Sequence, residues 1–171
     1  IEPMREPWAL WPDGGLRLIG VPAAITLDPG TLEFRINSKD VTSSLLESNL
    51  DSLLSSETVE LRPVPAVTLE DVLSRIPARI KIPLLKTDTQ GTDLAVLMSA
   101  GSQLRRVDKV HTEMIFDKAY ETKGPGPMSS EQEFDDYMKS MGFVRESKEI
   151  DPVYRKWFAT VYYICLLYTS D

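Results

Sequence analysis

Hydrophobic and polar positions along the chain follow two spacings, and the change from one to the other marks out its elements. After the turn Asp28-Pro29-Gly30, Leu32, Phe34 and Ile36 alternate with Glu33 and Arg35, the period of a half-buried strand. Val110, Thr112, Met114 and Phe116 alternate with Lys109, His111 and Glu113 in the same way, so His111 and Glu113 share one strand face. Helical spacing begins after Thr68-Leu69-Glu70-Asp71, a capping pattern, with Leu69, Val72, Leu73 and Ile76 as the buried stripe and Pro77 as its stop. Ser130 opens a second capping box that closes on Glu133. Phe134, Tyr137, Met138 and Met141 form its apolar stripe, and Gly142 ends it.

Weaker patterns fill the intervals. Ile1-Glu2-Pro3 reads as the end of a strand. Residues 4–12, with Trp8, Leu10 and Trp11, predict a short helix stopped by Pro12-Asp13-Gly14-Gly15. Leu16 to Leu27 is β-prone, interrupted by Gly20 and Pro22. Residues 37–57 predict a loop and then an amphipathic helix on Leu45, Leu46, Leu50, Leu53 and Leu54. A charged strand follows around Val59 and Leu61, ahead of Pro63 and Pro65. Lys123 to Pro127 is a Gly/Pro loop, and Phe143–Ile150 and Phe158–Leu167 predict a closing strand pair.

Ile80 to Gly101 stands at the centre. A short apolar run, Ile82 to Leu85, turns polar across Lys86-Thr87-Asp88-Thr89-Gln90. Gly91 follows, and Leu94, Leu97, Met98 and Leu104 then fall on one helical face. This is strand, polar tip, turn and helix, with Asp88 at the carboxyl end of the strand, where open α/β sheets bind ligands. Asp93 lies in the first helical turn, where a carboxylate favours the helix dipole. Strands alternating with helices predict an α/β fold built on a mainly parallel sheet, with an antiparallel edge from the last two strands.

Composition narrows the function. The 171 residues suffice for one domain with its own core. A net charge of −7 argues against a non-specific nucleic-acid binder and against attachment to anionic membranes. No apolar run approaches the ~20 residues that cross a bilayer. Cys165 is the only cysteine and His111 the only histidine, so internal disulfides, cysteine clusters and multi-histidine metal sites are excluded. The absence of disulfides is compatible with the cytoplasm. No signal peptide is visible, and a start at Ile1 reads as a fragment or processed product.

Several words occur in a recognisable order: Ile1-Glu2-Pro3, Ala23-Ala24-Ile25 with Asp28-Pro29-Gly30 and Phe34, and Thr42-Ser43-Ser44-Leu45. After them come Val67 to Leu73, Leu85-Lys86-Thr87-Asp88-Thr89-Gln90-Gly91, Ser99-Ala100-Gly101, Thr112-Glu113, and Tyr137-Met138 with Gly142-Phe143. Over about residues 1–150 the series resembles the later part of FkbM-type, S-adenosylmethionine-dependent methyltransferases. The resemblance implies a Rossmann-like class I methyltransferase fold and S-adenosyl-L-methionine as cofactor. It also implies O-methyl transfer to a hydroxyl of a small molecule or glycan. It places Glu2 at the end of the second strand, accepting hydrogen bonds from the cofactor ribose. The first strand and glycine-rich turn that precede such a residue are lacking, and the nine glycines include no G-x-G-x-x-G array. Residues 1–163 are therefore expected to form a partial methyltransferase domain, inactive by itself although its parent is an enzyme. Residues 164–171 resemble translated adapter read-through, a non-native tail.

Methylating a hydroxyl needs an aligned oxygen and a group that takes its proton. Asp88 is the first candidate, as base or substrate orienter, and Glu113 the second. Two scattered acids do not make a metal site, and none is assigned. His111 is a weaker candidate base, a lone strand histidine being more often a surface or packing residue, and Lys86 pairs with Asp88 or simply caps the site. Two other readings stay open at the level of sequence: a binding module that has lost catalysis, and another Rossmann-like transferase.

Overall fold

In the computed structural model, residues 8–10, 17–48, 56–115, 130–150 and 158–166 are described. Trp8–Leu10 (β1) pairs antiparallel with Arg17–Ile19 (β2), so the short helix predicted over residues 4–12 is replaced, in its described part, by a strand. The intervening sequence carries Pro-Asp-Gly-Gly, a composition that reverses a chain, and the Trp8/Leu10 spacing thus belongs to a period of two.

Ala24–Ile25 (β3), Gly30–Asn37 (β4) and Thr58–Val67 (β5) form a second sheet in the order β3-β5-β4. β5 is longer than predicted because it includes Pro63 and Pro65, which face Glu33 and Thr31 of β4. Over those residues its other edge has no strand partner among the described residues, so the missing N–H groups cost no ladder bonds. Between β4 and β5 the expected helix is absent from the described residues. Asp40–Thr42 is a single 3₁₀ turn, and Ser44 bridges back to Arg35. Asn37 Nδ2 donates to the Thr42 carbonyl at 2.7 Å, and the Asn37 N–H to Ser43 Oγ at 3.1 Å. Such local side-chain bonds outcompete a helix. Leu50, Leu53 and Leu54 lie outside the described residues.

Leu69–Ser74 (α1) starts as predicted, with Thr68 Oγ1 accepting from the Asp71 N–H at 3.0 Å. The Arg106 guanidinium donates to the Leu73 carbonyl in the last turn of α1 and to those of Ile76, Pro77 and Ile80 in the segment that follows. Leu85–Thr87 (β6) leads to Asp93–Met98 (α2), after which the chain tightens into a 3₁₀ helix over Gly101–Arg106. Gly101, at φ +52°, ends the α-helical stripe before Leu104. Leu94, Leu97 and Leu104 are buried, but Met98 is 44% exposed, contrary to its predicted place on that face.

Lys109–Ile115 (β7), Glu131–Ser140 (α3), Phe143–Glu149 (β8) and Phe158–Cys165 (β9) complete the described chain. The third sheet has the order β6-β7-β9-β8. β6 and β7 are parallel, and β9 is antiparallel to both β7 and β8, so β6, β7 and β8 share one direction. The last two strands do form an antiparallel pair at one end of the sheet, with β8 at the edge and β9 inside it. Counting all described pairs, two are parallel and four antiparallel: the two larger sheets are mixed, where a mainly parallel sheet was expected. The short link between β8 and β9 allows only antiparallel pairing, and β9 then presents its free edge to β7. Val110, Met114, Ala159, Val161 and Tyr163 of this sheet pack with Leu69, Leu73, Leu94, Leu97, Phe134 and Met138 in one core. The Ser130–Glu133 capping box forms as predicted, and Cys165 is buried as a free thiol. The Lys123–Pro127 loop lies outside the described residues. Among the described residues no helix is long and apolar enough to cross a membrane.

Candidate functional site

The parallel pair β6–β7 sets the site. Thr87 and Thr112 are register partners, and the next residues are Asp88 and Glu113. Asp88 leaves the sheet at the carboxyl end of β6, whereas Glu113 is still within β7 on its half-buried face. In the described sheet β6 is an end strand.

One side chain joins the two carboxylates. Gln90 Nε2 donates to Asp88 Oδ1 at 3.1 Å and to Glu113 Oε2 at 3.1 Å. These oxygens are thus no more than twice 3.1 Å apart. Lys86 Nζ reaches the other Asp88 oxygen at 3.3 Å. That pair is about half exposed on both sides, so water screens it and it adds little stability.

A third carboxyl lies beneath. Asp93 is 1% exposed and accepts from the Thr89 N–H at 3.3 Å, which ties the polar tip to the start of α2. Burial raises its pKa, opposed by hydrogen bonds from Thr87 and Thr89, and the Asp88 charge raises it further. Glu113 is pushed up to about 7, first by burial and then by the charges of Asp88 and Asp93, against the lowering influence of Lys86 and Gln90. A carboxyl titrating there exchanges protons near neutral pH.

Two clefts meet at the tip and share Phe34, Ser43 and Asp88. The smaller, about 200 Å³, is walled by Ile25, Phe34 and Leu45, with Thr89 and Thr92 as polar groups. The larger, about 660 Å³, lies against β4 and β5, where Phe34, Ile36 and Val64 are apolar and Asp40, Ser43 and Gln90 polar. Ser44 Oγ closes the junction by donating to the Gln90 carbonyl at 2.8 Å.

The structure brings Asp88 and Glu113 together, and Glu2 lies outside the described residues. His111 stacks on Tyr162 with ring centroids 4.6 Å apart, a packing arrangement. Sequence reasoning did not single out Gln90, the residue that unites the pair. A polar residue before Gly91 at the head of a helix marks a tip, but not which groups its side chain reaches. Among the described residues no group of three or more His, Cys, Asp or Glu is placed to hold a metal ion.

Asp88 lines both clefts, and Glu113, which lines neither, is joined to it through Gln90. The model of the methyltransferase FkbM domain matches residues 14–145, most of the chain, and the protein belongs to that family. Methyl transfer is the activity at the level of the family. No curated protein and no solved structure matches the chain.

Proposed function

We propose that this domain transfers the methyl group of S-adenosylmethionine to a hydroxyl of a small molecule or glycan. The observation that carries the reading is the Asp88–Gln90–Glu113 cluster beside the two clefts. The smaller cleft fits a ligand that is part flat ring and part cation. Ile25, Phe34 and Leu45 give apolar walls, and Asp88 offers a half-exposed carboxylate. S-adenosylmethionine supplies an electrophilic methyl group when bound. Glu2, which the family resemblance places on the ribose, would complete that side, and a Rossmann-like arrangement of the sheet follows from the same resemblance.

The larger cleft receives the acceptor. Its apolar wall at Phe34, Ile36 and Val64 takes the carbon skeleton, and Asp88 orients the hydroxyl. Glu113, with a pKa near 7, accepts the proton directly or through one water. Holding the oxygen in line is itself a large part of the rate.

The test is methyl transfer from labelled S-adenosylmethionine to a panel of hydroxylated small molecules and glycans, in the protein that carries these residues. Asp88→Asn and Glu113→Gln are each expected to slow transfer by roughly 10²–10⁴-fold. Glu2→Ala should weaken cofactor binding, read by calorimetry. Unaltered transfer rates in both carboxylate variants would remove the assignment.

A further inference from the structure

Gln90 occupies backbone that a residue with a Cβ rarely adopts. Its φ is +54°, and it is the one non-glycine residue with positive φ among those described. Glycine takes this conformation freely, as Gly91 does at φ +103°. A glutamine there calls for compensating interactions, and two are present. Ser44 Oγ holds the Gln90 carbonyl at 2.8 Å, and the amide binds both carboxylates. Ser44 is itself 1% exposed and exchanges both backbone hydrogen bonds with Arg35 of β4, at 2.8 and 3.1 Å.

We propose that Gln90 is a positioning residue that fixes the spacing of Asp88 and Glu113, and that Ser44 latches it to the strand walling the larger cleft. The proposal rests on the reading of those carboxylates as the working pair. An amide NH₂ has two hydrogens, one for each carboxylate, and keeps like charges at a set distance. Without it the two acids repel across a partly buried gap, and Glu113 holds its proton more tightly.

The other groups around Glu113 are few. Asp88 and Lys86 come from β6 and its tip, Asp93 from α2, and His111 shares its strand face. Opposite on β9 lies Thr160, with Tyr162 stacked on His111. Beyond them, on β8, Glu149 is the register partner of Thr160.

The experiment is a carbon-13 NMR titration of the Glu113 carboxyl, with thermal melts, in Gln90→Gly, Ser44→Ala and the double variant. Glycine suits the left-handed backbone, so Gln90→Gly is expected to melt no lower than the parent. Its Glu113 midpoint should rise by roughly 0.7 of a pH unit, one net hydrogen bond of about 1 kcal/mol converted at 1.36 kcal/mol per unit. Ser44→Ala should raise the midpoint by less, and should add nothing once Gln90 is glycine. An unmoved midpoint in Gln90→Gly overturns the clamp, and a further rise in the double variant overturns the latch. The titration needs no substrate. Failure of the clamp is thereby distinct from failure of methyl transfer, which the transfer rate of Asp88→Asn reports.

Discussion

The hydroxyls of Thr87 and Thr112 meet at 2.7 Å, buried between the parallel strands β6 and β7. Each precedes one carboxylate of the site, so this bond fixes the height of Asp88 against Glu113. A slip of one residue would turn both side chains to the opposite face.

Thr112→Val keeps the shape of the side chain and removes the bond. It should destabilise the fold by about 1–3 kcal/mol, the cost of leaving a buried hydroxyl poorly satisfied. The double variant Thr87→Val/Thr112→Val is expected to lose less than the two single losses combined, because no orphaned hydroxyl remains at that contact. Denaturant unfolding of the four proteins measures the coupling, and strict additivity would show that the hydroxyls act separately.

Glu113 predicts a pH dependence of stability with a definite sign. Its pKa rises from 4.5 to about 7 on folding, so the native state binds the proton more tightly than the unfolded chain. This contribution is fully present below pH 4.5 and is lost as pH climbs through 7. Glu113→Gln should therefore be more stable than the parent at pH 8 and show a flatter profile between pH 5 and 8. Melting curves across that range check it; a parallel profile in both proteins would contradict the burial of this carboxylate.

Arg145 joins β8 to α3. Its guanidinium bonds Glu131 and meets Asp135 Oδ2 at 2.6 Å, while the Tyr163 hydroxyl donates to Asp135 Oδ1 at 2.8 Å. The arginine side chain is 25% exposed, between the regimes of surface and buried pairs. Arg145→Ala should cost about 2 kcal/mol, and high salt should reduce the difference from the parent. A loss independent of salt would assign the effect to packing.

Met138 is fully buried in the core under α3. Met138→Ala is expected to cost about 2–5 kcal/mol through the cavity it leaves. Met138→Asp should cost more, since a charge there finds no partner. Unchanged melting in either would mean that this face of the helix does not bear on the core.

Elements with strong local signals were legible in the sequence. The caps at Thr68 and Ser130 and the stripes at Leu69/Leu73 and Phe134/Met138 depend on neighbours a few residues away. The misreadings share a different cause. Met98 is the last residue of α2, where the helix leaves the core, and the region after Asn37 was captured by side-chain bonds to the backbone. The place of β9 depends on a partner about fifty residues earlier. The site divides in the same manner. Asp88 was visible as a polar tip on an apolar strand, but its closeness to Glu113 depends on the strand register and on Gln90. No spacing in the sequence encodes the left-handed backbone of that glutamine.

β9 lies between β7 and β8 although it follows both in the chain. During synthesis, the edge of β7 from Lys109 to Ile115 therefore waits for residues 158–164 to emerge from the ribosome. A nascent chain halted before Phe158 bears two unsatisfied edges, one on β7 and one on β8. Open edges of that kind recruit other chains, and pairings this distant in sequence form slowly. The final strand works as a bolt driven into the middle of the sheet. Until it is home, the half-made domain is exposed to aggregation and to chaperones.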